Sequence, residues 1–285
     1  MVTVLQNLTF EQKKDDIKNK IEAKSISFDY DGIEILKNIN LMIKEGEIIV
    51  FMGPSGSGKS TLLRLLIGLN SPKHGEILVN NQAISETLPD SSVVFQDYAL
   101  FPWLTAEENI ILALKQRVKK SKKELQQLAK SYLELVKLGH ANKKYPGEMS
   151  GGMRQRAAIA RALSVGSDLM FMDEPFGALD PVTRIQLQDL ILQVNRDRQH
   201  TIVFVTHDAE EAIYIADRIV MFTPGPPGEI AEIIEVPFSK PRNRKQLFST
   251  QEFNQFRDYV LDIMNKGIFE KLEEKLEVRT NGDWI

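Results

Sequence analysis

Residues 53–60 read Gly53-Pro54-Ser55-Gly56-Ser57-Gly58-Lys59-Ser60, a complete G-x-x-x-x-G-K-S pattern. Glycines at these spacings let the backbone come close to a polyphosphate. Successive N–H groups then point at phosphate oxygens, and the following helix adds its positive end. Lys59 supplies a full charge to the β- and γ-phosphates, and the Ser60 hydroxyl is placed to ligate Mg²⁺. This stretch therefore predicts a bound nucleoside triphosphate with its metal.

Four further residues have types and positions that fit the same chemistry. Asp173 closes the apolar run Leu169–Met172, where a carboxylate has little reason to sit unless a cation pairs with it. Mg²⁺ held jointly with Ser60 is such a cation. Glu174 follows at the strand's carboxyl end, where open α/β sheets bind ligands, and can orient or deprotonate an attacking water. His207 follows the apolar run Thr201–Val205 and can reach a γ-phosphate from there; alone it would read as a structural histidine. Gln96, after Ser92-Val93-Val94-Phe95, has an amide oxygen suited either to Mg²⁺ or to the attacking water.

Ser150-Gly151-Gly152 opens a helical pattern and makes a second anion site from small residues and exposed N–H groups. One chain does not need two triphosphate sites. The economical reading is that this one completes the pocket of another copy.

The elements that must carry these residues read as alternating strands and helices. Ile39, Leu41 and Ile43 alternate with polar residues, as in a half-buried strand. Ile48–Met52 is continuously apolar, as in a strand covered on both faces, and a helix from about Lys59 to Leu69 follows the loop. Residues 105–165 are helix-rich, starting from a Thr105-x-x-Glu108 capping box. Asp180-Pro181 predicts an N-cap and N1 for a helix over 181–198, and Asp208-x-x-Glu211 starts another. Pro224-Gly225-Pro226-Pro227-Gly228 reads as a turn into a final hairpin. The pattern predicts an α/β fold with a mainly parallel sheet covered on both faces.

Composition narrows the class. The 285 residues carry a net charge of −3, which gives no sign of a nucleic-acid partner, and no cysteine, which excludes disulfides and thiolate sites. No apolar run approaches the roughly 20 residues needed to cross a bilayer, and Met1–Lys20 lacks the layout of a secretory signal. A soluble, cytoplasmic chain is expected, with any membrane role exercised through a partner. Lys115, Arg117, Lys119, Lys120, Lys122 and Lys123 form a basic cluster, read as a solvated helix end and loop or, alternatively, an anionic contact.

Taken together, the motifs resemble the nucleotide-binding subunit of ABC transporters, over about residues 21–240. The resemblance implies a P-loop NTPase with an antiparallel β subdomain and a helical subdomain, about 97–165, that carries the signature motif. Residues 1–20 are then a polar arm and 241–285 a helical tail. In the family's terms Tyr30 matches the aromatic that stacks on adenine, and Gly53 to Thr61 match the Walker A loop. Gln96 matches the Q-loop glutamine, and Met149 to Arg156 the signature. Asp173 and Glu174 match the Walker B aspartate and catalytic glutamate, Gly177 to Asp180 the D-loop, and His207 the switch histidine. Met149 and Met153 depart from the commoner leucine and glutamine. Met153, Phe101 to Thr105 and the Pro-Gly turn look like the nitrate, sulfonate, taurine and bicarbonate importer branch.

The resemblance further implies a head-to-tail dimer with two ATPs, each held between one copy's Lys59, Ser60, Asp173, Glu174 and His207 and the other's Ser150, Gly151 and Gly152. ATP hydrolysis would drive separate permease subunits, reached through the surface around Gln96 to Thr105, and serve a solute-binding protein indirectly. Trp103 is either a contact for those subunits or a local packing anchor. Two alternatives stand beside the importer: the ATPase of an exporter, and a soluble ABC protein outside transport.

Overall fold

The computed structural model describes residues 18–84 and 90–282. Most of the polar arm expected at the N-terminus, residues 1–17, lies outside them. In chain order the first elements are strands β1 (Asn19–Tyr30), β2 (Ile33–Lys44) and β3 (Ile48–Met52), helix α1 (Lys59–Ile67), and strands β4 (His74–Val79), β5 (Gln82–Ala83) and β6 (Ser91–Val94). Helices α2 (Ala106–Arg117), α3 (Lys122–Leu135) and α4 (Gly151–Val165) follow. The remainder is β7 (Leu169–Asp173), α5 (Pro181–Arg198), β8 (Thr201–Val205), α6 (Ala209–Ile215), β9 (Arg218–Phe222), β10 (Ile230–Glu235), α7 (Arg244–Leu247) and α8 (Gln251–Gly282).

Two sheets organise these elements. The smaller is antiparallel, in the order β2-β1-β4-β5, and the larger runs β10-β9-β3-β8-β7-β6. In the larger sheet β9, β3, β8, β7 and β6 are parallel, with β10 antiparallel at one edge. The continuous apolar runs explain this layout: every residue of β3, β7 and β8 is buried, as a parallel sheet covered on both faces requires. On β2 the alternation of Ile39, Leu41 and Ile43 puts those three inside and their neighbours outside.

The period of two along β3 divides the interior. Ile49 and Phe51 face one cluster with Leu62, Leu63 and Leu66 of α1 and the inner face of the antiparallel sheet. Ile48, Val50 and Met52 face the other, with residues from α2 to α6. Helix α1 is therefore clamped between the two sheets, which fixes the loop that leads into it.

The helix starts follow their local signals. Thr105 and Glu108 form the reciprocal capping box of α2, and Ser121 and Glu124 form another on α3. Asp180 caps α5 with Pro181 behind it, and Asp208 accepts from the Glu211 N–H at the start of α6. Helix α1 stops at Ile67 because Gly68 takes a left-handed C-cap, φ 82°. The basic cluster lies exposed at the end of α2 and the start of α3, where Arg117 pairs with Asp90 and Lys120 with Glu124.

The C-terminal segment packs onto this core. Phe253 and Val260 of α8 are buried in the same cluster as α6 and β9. No helix among the described residues is long and apolar enough to cross a membrane.

Candidate active site

The phosphate loop leaves the end of β3 and curls into α1. It needs left-handed backbone at Gly53, φ 143°, Gly56, φ 79°, and Gly58, φ 87°, conformations that only glycine adopts without strain. The Lys59 ammonium lies inside the curl. It donates to the carbonyl oxygens of Gly53 at 2.8 Å and Pro54 at 2.7 Å and to Ser57 Oγ at 3.2 Å. These use its three donors. Burial pushes its pKa down, and the charges of Glu174 and Asp173 oppose that.

Across the sheet, Ser60 Oγ donates to Asp173 Oδ1 at 3.0 Å. Asp173 is 6% exposed, and burial raises its pKa, with Glu174 adding to the shift while the Ser60 bond opposes it. A buried carboxylate and a hydroxyl in contact form an oxygen-only donor pair of the kind Mg²⁺ prefers. That ion retains several waters and takes its other ligands from phosphate. Among the described residues no group of three or more His, Cys, Asp and Glu side chains could hold a metal. The donor set thus fits a metal brought with a nucleotide rather than a cage built by protein alone.

Glu174 has φ 46°, left-handed backbone that costs a non-glycine residue about 1 kcal/mol or more. Its N–H donates to the Val205 carbonyl at 3.0 Å, so β8 holds the strained residue in place. The carboxylate receives Gln96 Nε2 at 3.4 Å on one oxygen and lies 3.4 Å from His207 Nδ1 on the other. His207 is largely exposed and Glu174 about a third so. Lys59, Ser60, Gln96, Asp173, Glu174 and His207 therefore converge at the carboxyl ends of β3, β6, β7 and β8, the ligand-binding edge of a parallel sheet.

Ser150, Gly151 and Gly152 are elsewhere. Ser150 caps α4, accepting from the Met153 N–H at 3.3 Å. A Cβ on Gly151 would come 3.2 Å from the Tyr98 hydroxyl, and one on Gly152 would come 3.1 Å from the Ala178 carbonyl. The helix start thus packs on the segments after Gln96 and after Glu174. Among the described residues no hydrogen bond joins it to the phosphate loop. Tyr30, expected from the resemblance alone, is exposed at the tip of the β1–β2 hairpin and meets Phe28 edge-on at 4.7 Å. Trp103 is 69% exposed, with its ring 5.5 Å from that of Phe101.

Arg161 belongs to none of the sequence motifs, yet it ties these parts together. Its guanidinium donates to the carbonyls of Ala99 at 2.5 Å and Tyr98 at 3.3 Å. Tyr98 and Ala99 both have positive φ, 67° and 46°, so α4 holds the turn after Gln96 in an unfavourable conformation. An arginine inside an amphipathic helix carries no local mark of such a role.

With the fold and this cluster in view, residues 36–177 match the ABC transporter family model. The bicarbonate transport ATP-binding protein CmpD of Synechocystis sp. is 45% identical over 81% of this chain and 82% of its own length. The nitrate import ATP-binding protein NrtD of Synechococcus elongatus is 44% identical over 80% and 84%. The nitrate transport protein NasD of Klebsiella oxytoca is 44% identical over 80% and 88%. Among solved structures, the dimeric post-hydrolysis state of the ATP-binding cassette MJ0796 bound to ADP and Pi superposes with a TM-score of 0.70 at 33% identity. It covers 77% of this chain and all of that one. The chain belongs to the ABC transporter family, as an ATP-binding subunit. It binds ATP and hydrolyses it in the service of transport.

Proposed function

We propose that this chain is the energy-coupling ATPase of an importer for a small oxyanion of the bicarbonate or nitrate kind, working at the cytoplasmic face of the cell membrane. The observation that carries import is the likeness to CmpD, NrtD and NasD over about four-fifths of the chain. Channel and cargo recognition then belong to separate permease subunits and to a solute-binding protein. Phe101 and Trp103, apolar and exposed beside the Gln96 segment, suit a contact with a membrane subunit.

In this reading residues 53–61 cradle the triphosphate, with Lys59 against the β- and γ-phosphates and Tyr30 on the adenine. Ser60 and Asp173 would hold Mg²⁺, with Gln96 as a further oxygen ligand; bound there, the ion neutralises charge on the phosphates. Glu174 accepts the proton of the attacking water, a role suited to a partly exposed carboxylate. Gln96 and His207 sit on its two oxygens and orient it. Ser150, Gly151 and Gly152 close over the triphosphate of a second copy, presenting a helix N-terminus to the γ-phosphate. That no hydrogen bond among the described residues ties them to the phosphate loop of their own chain supports a shared site. After hydrolysis the shared anion is lost and the two copies separate.

The test is co-purification from native membranes. The reading expects a permease and a solute-binding protein that carries a small oxyanion. A permease with no binding protein would point to export instead.

A further inference from the structure

The turn 224–228 between β9 and β10 lies against the back of the phosphate loop. A Cβ added to Gly225 would come 2.6 Å from the Gly56 carbonyl oxygen and 3.0 Å from Ser57 Cα. A Cβ added to Gly228 would overlap the Ser57 carbonyl. These obstacles are backbone atoms, which cannot swing aside as a flexible side chain does. Neither Gly225 nor Gly228 has a positive φ, so glycine is needed there for space rather than for backbone conformation. Just before the turn, β9 also comes near: a Cβ on Gly53 would come 2.9 Å from the Phe222 carbonyl oxygen.

The other side of the turn is bonded to β2. The Gly228 N–H donates to the Ile35 carbonyl at 2.8 Å, and the Lys37 N–H donates to the Gly228 carbonyl at 3.1 Å. Leu36 forms a β-bridge with Gly228 and is fully buried. A Cβ on Gly58 would come 2.5 Å from its Cδ2. The loop is therefore seated in a wall made by the end of β9, the turn and β2.

We propose that this turn is a positioning element for nucleotide binding: Gly225 and Gly228 hold the backbone of Gly56 and Ser57, and so set where the loop's N–H groups meet the phosphates. The proposal rests on the reading of residues 53–61 as the triphosphate cradle. Three left-handed glycines make such a loop permissive, and an anion site gains strength from donors fixed before the ligand arrives. The wall supplies that fixing without touching the ligand.

The test is calorimetric titration of Mg-ADP into Gly228→Ala and Gly225→Ala, beside the unaltered protein and Lys59→Ala. Displacing the Ser57 carbonyl should raise the Kd of Gly228→Ala by about tenfold to hundredfold, and Gly225→Ala should lose less. In ATPase assays the KM for ATP should rise with kcat retained, the pattern of lost uniform binding. A folded Gly228→Ala with unchanged Kd, beside a Lys59→Ala that has lost affinity, overturns the turn's role and leaves the cradle standing. A Lys59→Ala of unchanged affinity removes the cradle, and the proposal falls with it. If Gly228→Ala does not fold, hydrogen exchange on the unaltered protein decides. ADP should slow exchange of the Gly228 and Lys37 amides together with those of the loop. Protection confined to residues 53–60 would overturn the proposal.

Discussion

Ser60 and Asp173, 113 residues apart in sequence, meet in a 3.0 Å hydrogen bond that joins the start of α1 to the end of β7. This contact sets the floor of the site. It also places a carboxylate where burial makes its charge unfavourable.

That cost has a sign that can be measured. A carboxyl whose folded pKa lies above its ordinary 3.8 holds its proton more tightly folded than unfolded. Ionised Asp173 therefore lowers stability above the folded pKa, and the penalty fades as pH falls through that value toward the unfolded one. Asp173→Asn should melt at higher temperature than the unaltered protein at neutral pH without nucleotide, with the gap closing in acid. The same variant should lose about 100-fold or more in ATPase rate. Melting curves across pH, paired with a steady-state phosphate assay, check both halves.

Arg161 should matter without touching nucleotide. Its removal leaves the Tyr98 and Ala99 carbonyls without their guanidinium donor and frees a turn held at positive φ. Arg161→Ala should lose about 1–3 kcal/mol in urea unfolding. It should slow hydrolysis more than it weakens ADP binding, because Gln96 stands at the head of the released turn.

Arg242 performs a similar service for α6. Its guanidinium donates to the carbonyls of Ile213 and Tyr214, both at 2.9 Å, in the last turn of that helix, and also to the Phe238 carbonyl. Burial pushes its pKa down to about 10, so it stays charged in both states near neutrality. Arg242→Ala should cost about 1–2 kcal/mol. The loss should be flat between pH 6 and 8, and hydrogen exchange should show faster opening of the last turn of α6.

What the sequence makes legible is what a few consecutive residues decide. The phosphate loop, the Thr105-x-x-Glu108 box and the Asp180-Pro181 start are each complete within nine residues or fewer, and the structure forms each where its pattern begins. Asp173 is legible as an exception, a carboxylate ending an apolar strand, and the structure buries it there against Ser60. What stays hidden depends on contacts between distant segments. β3 lies between β8 and β9, strands formed by residues 201–205 and 218–222, and no local pattern announces that order. The left-handed backbone of Glu174 goes with a bond from its N–H to Val205 on the neighbouring strand. The burial of Phe253 and Val260 turns on α8 finding α6, a partner that no local pattern names. The Pro-Gly turn reads in sequence as a hairpin connection, and its packing against the phosphate loop becomes visible only with the fold.

One ATP held between two copies, by the phosphate loop of one and Ser150-Gly151-Gly152 of the other, would make pairing of the copies depend on nucleotide. Glu174→Gln exposes that dependence, because it should keep ATP binding while lowering turnover by about 10²–10⁴-fold. In size-exclusion chromatography with light scattering, this variant should run as a monomer alone and as a dimer with ATP. Adding Ser150→Arg to it should abolish the dimer while ATP still binds. A Glu174→Gln protein that binds ATP yet stays monomeric, or a dimer indifferent to Ser150→Arg, would contradict the shared site.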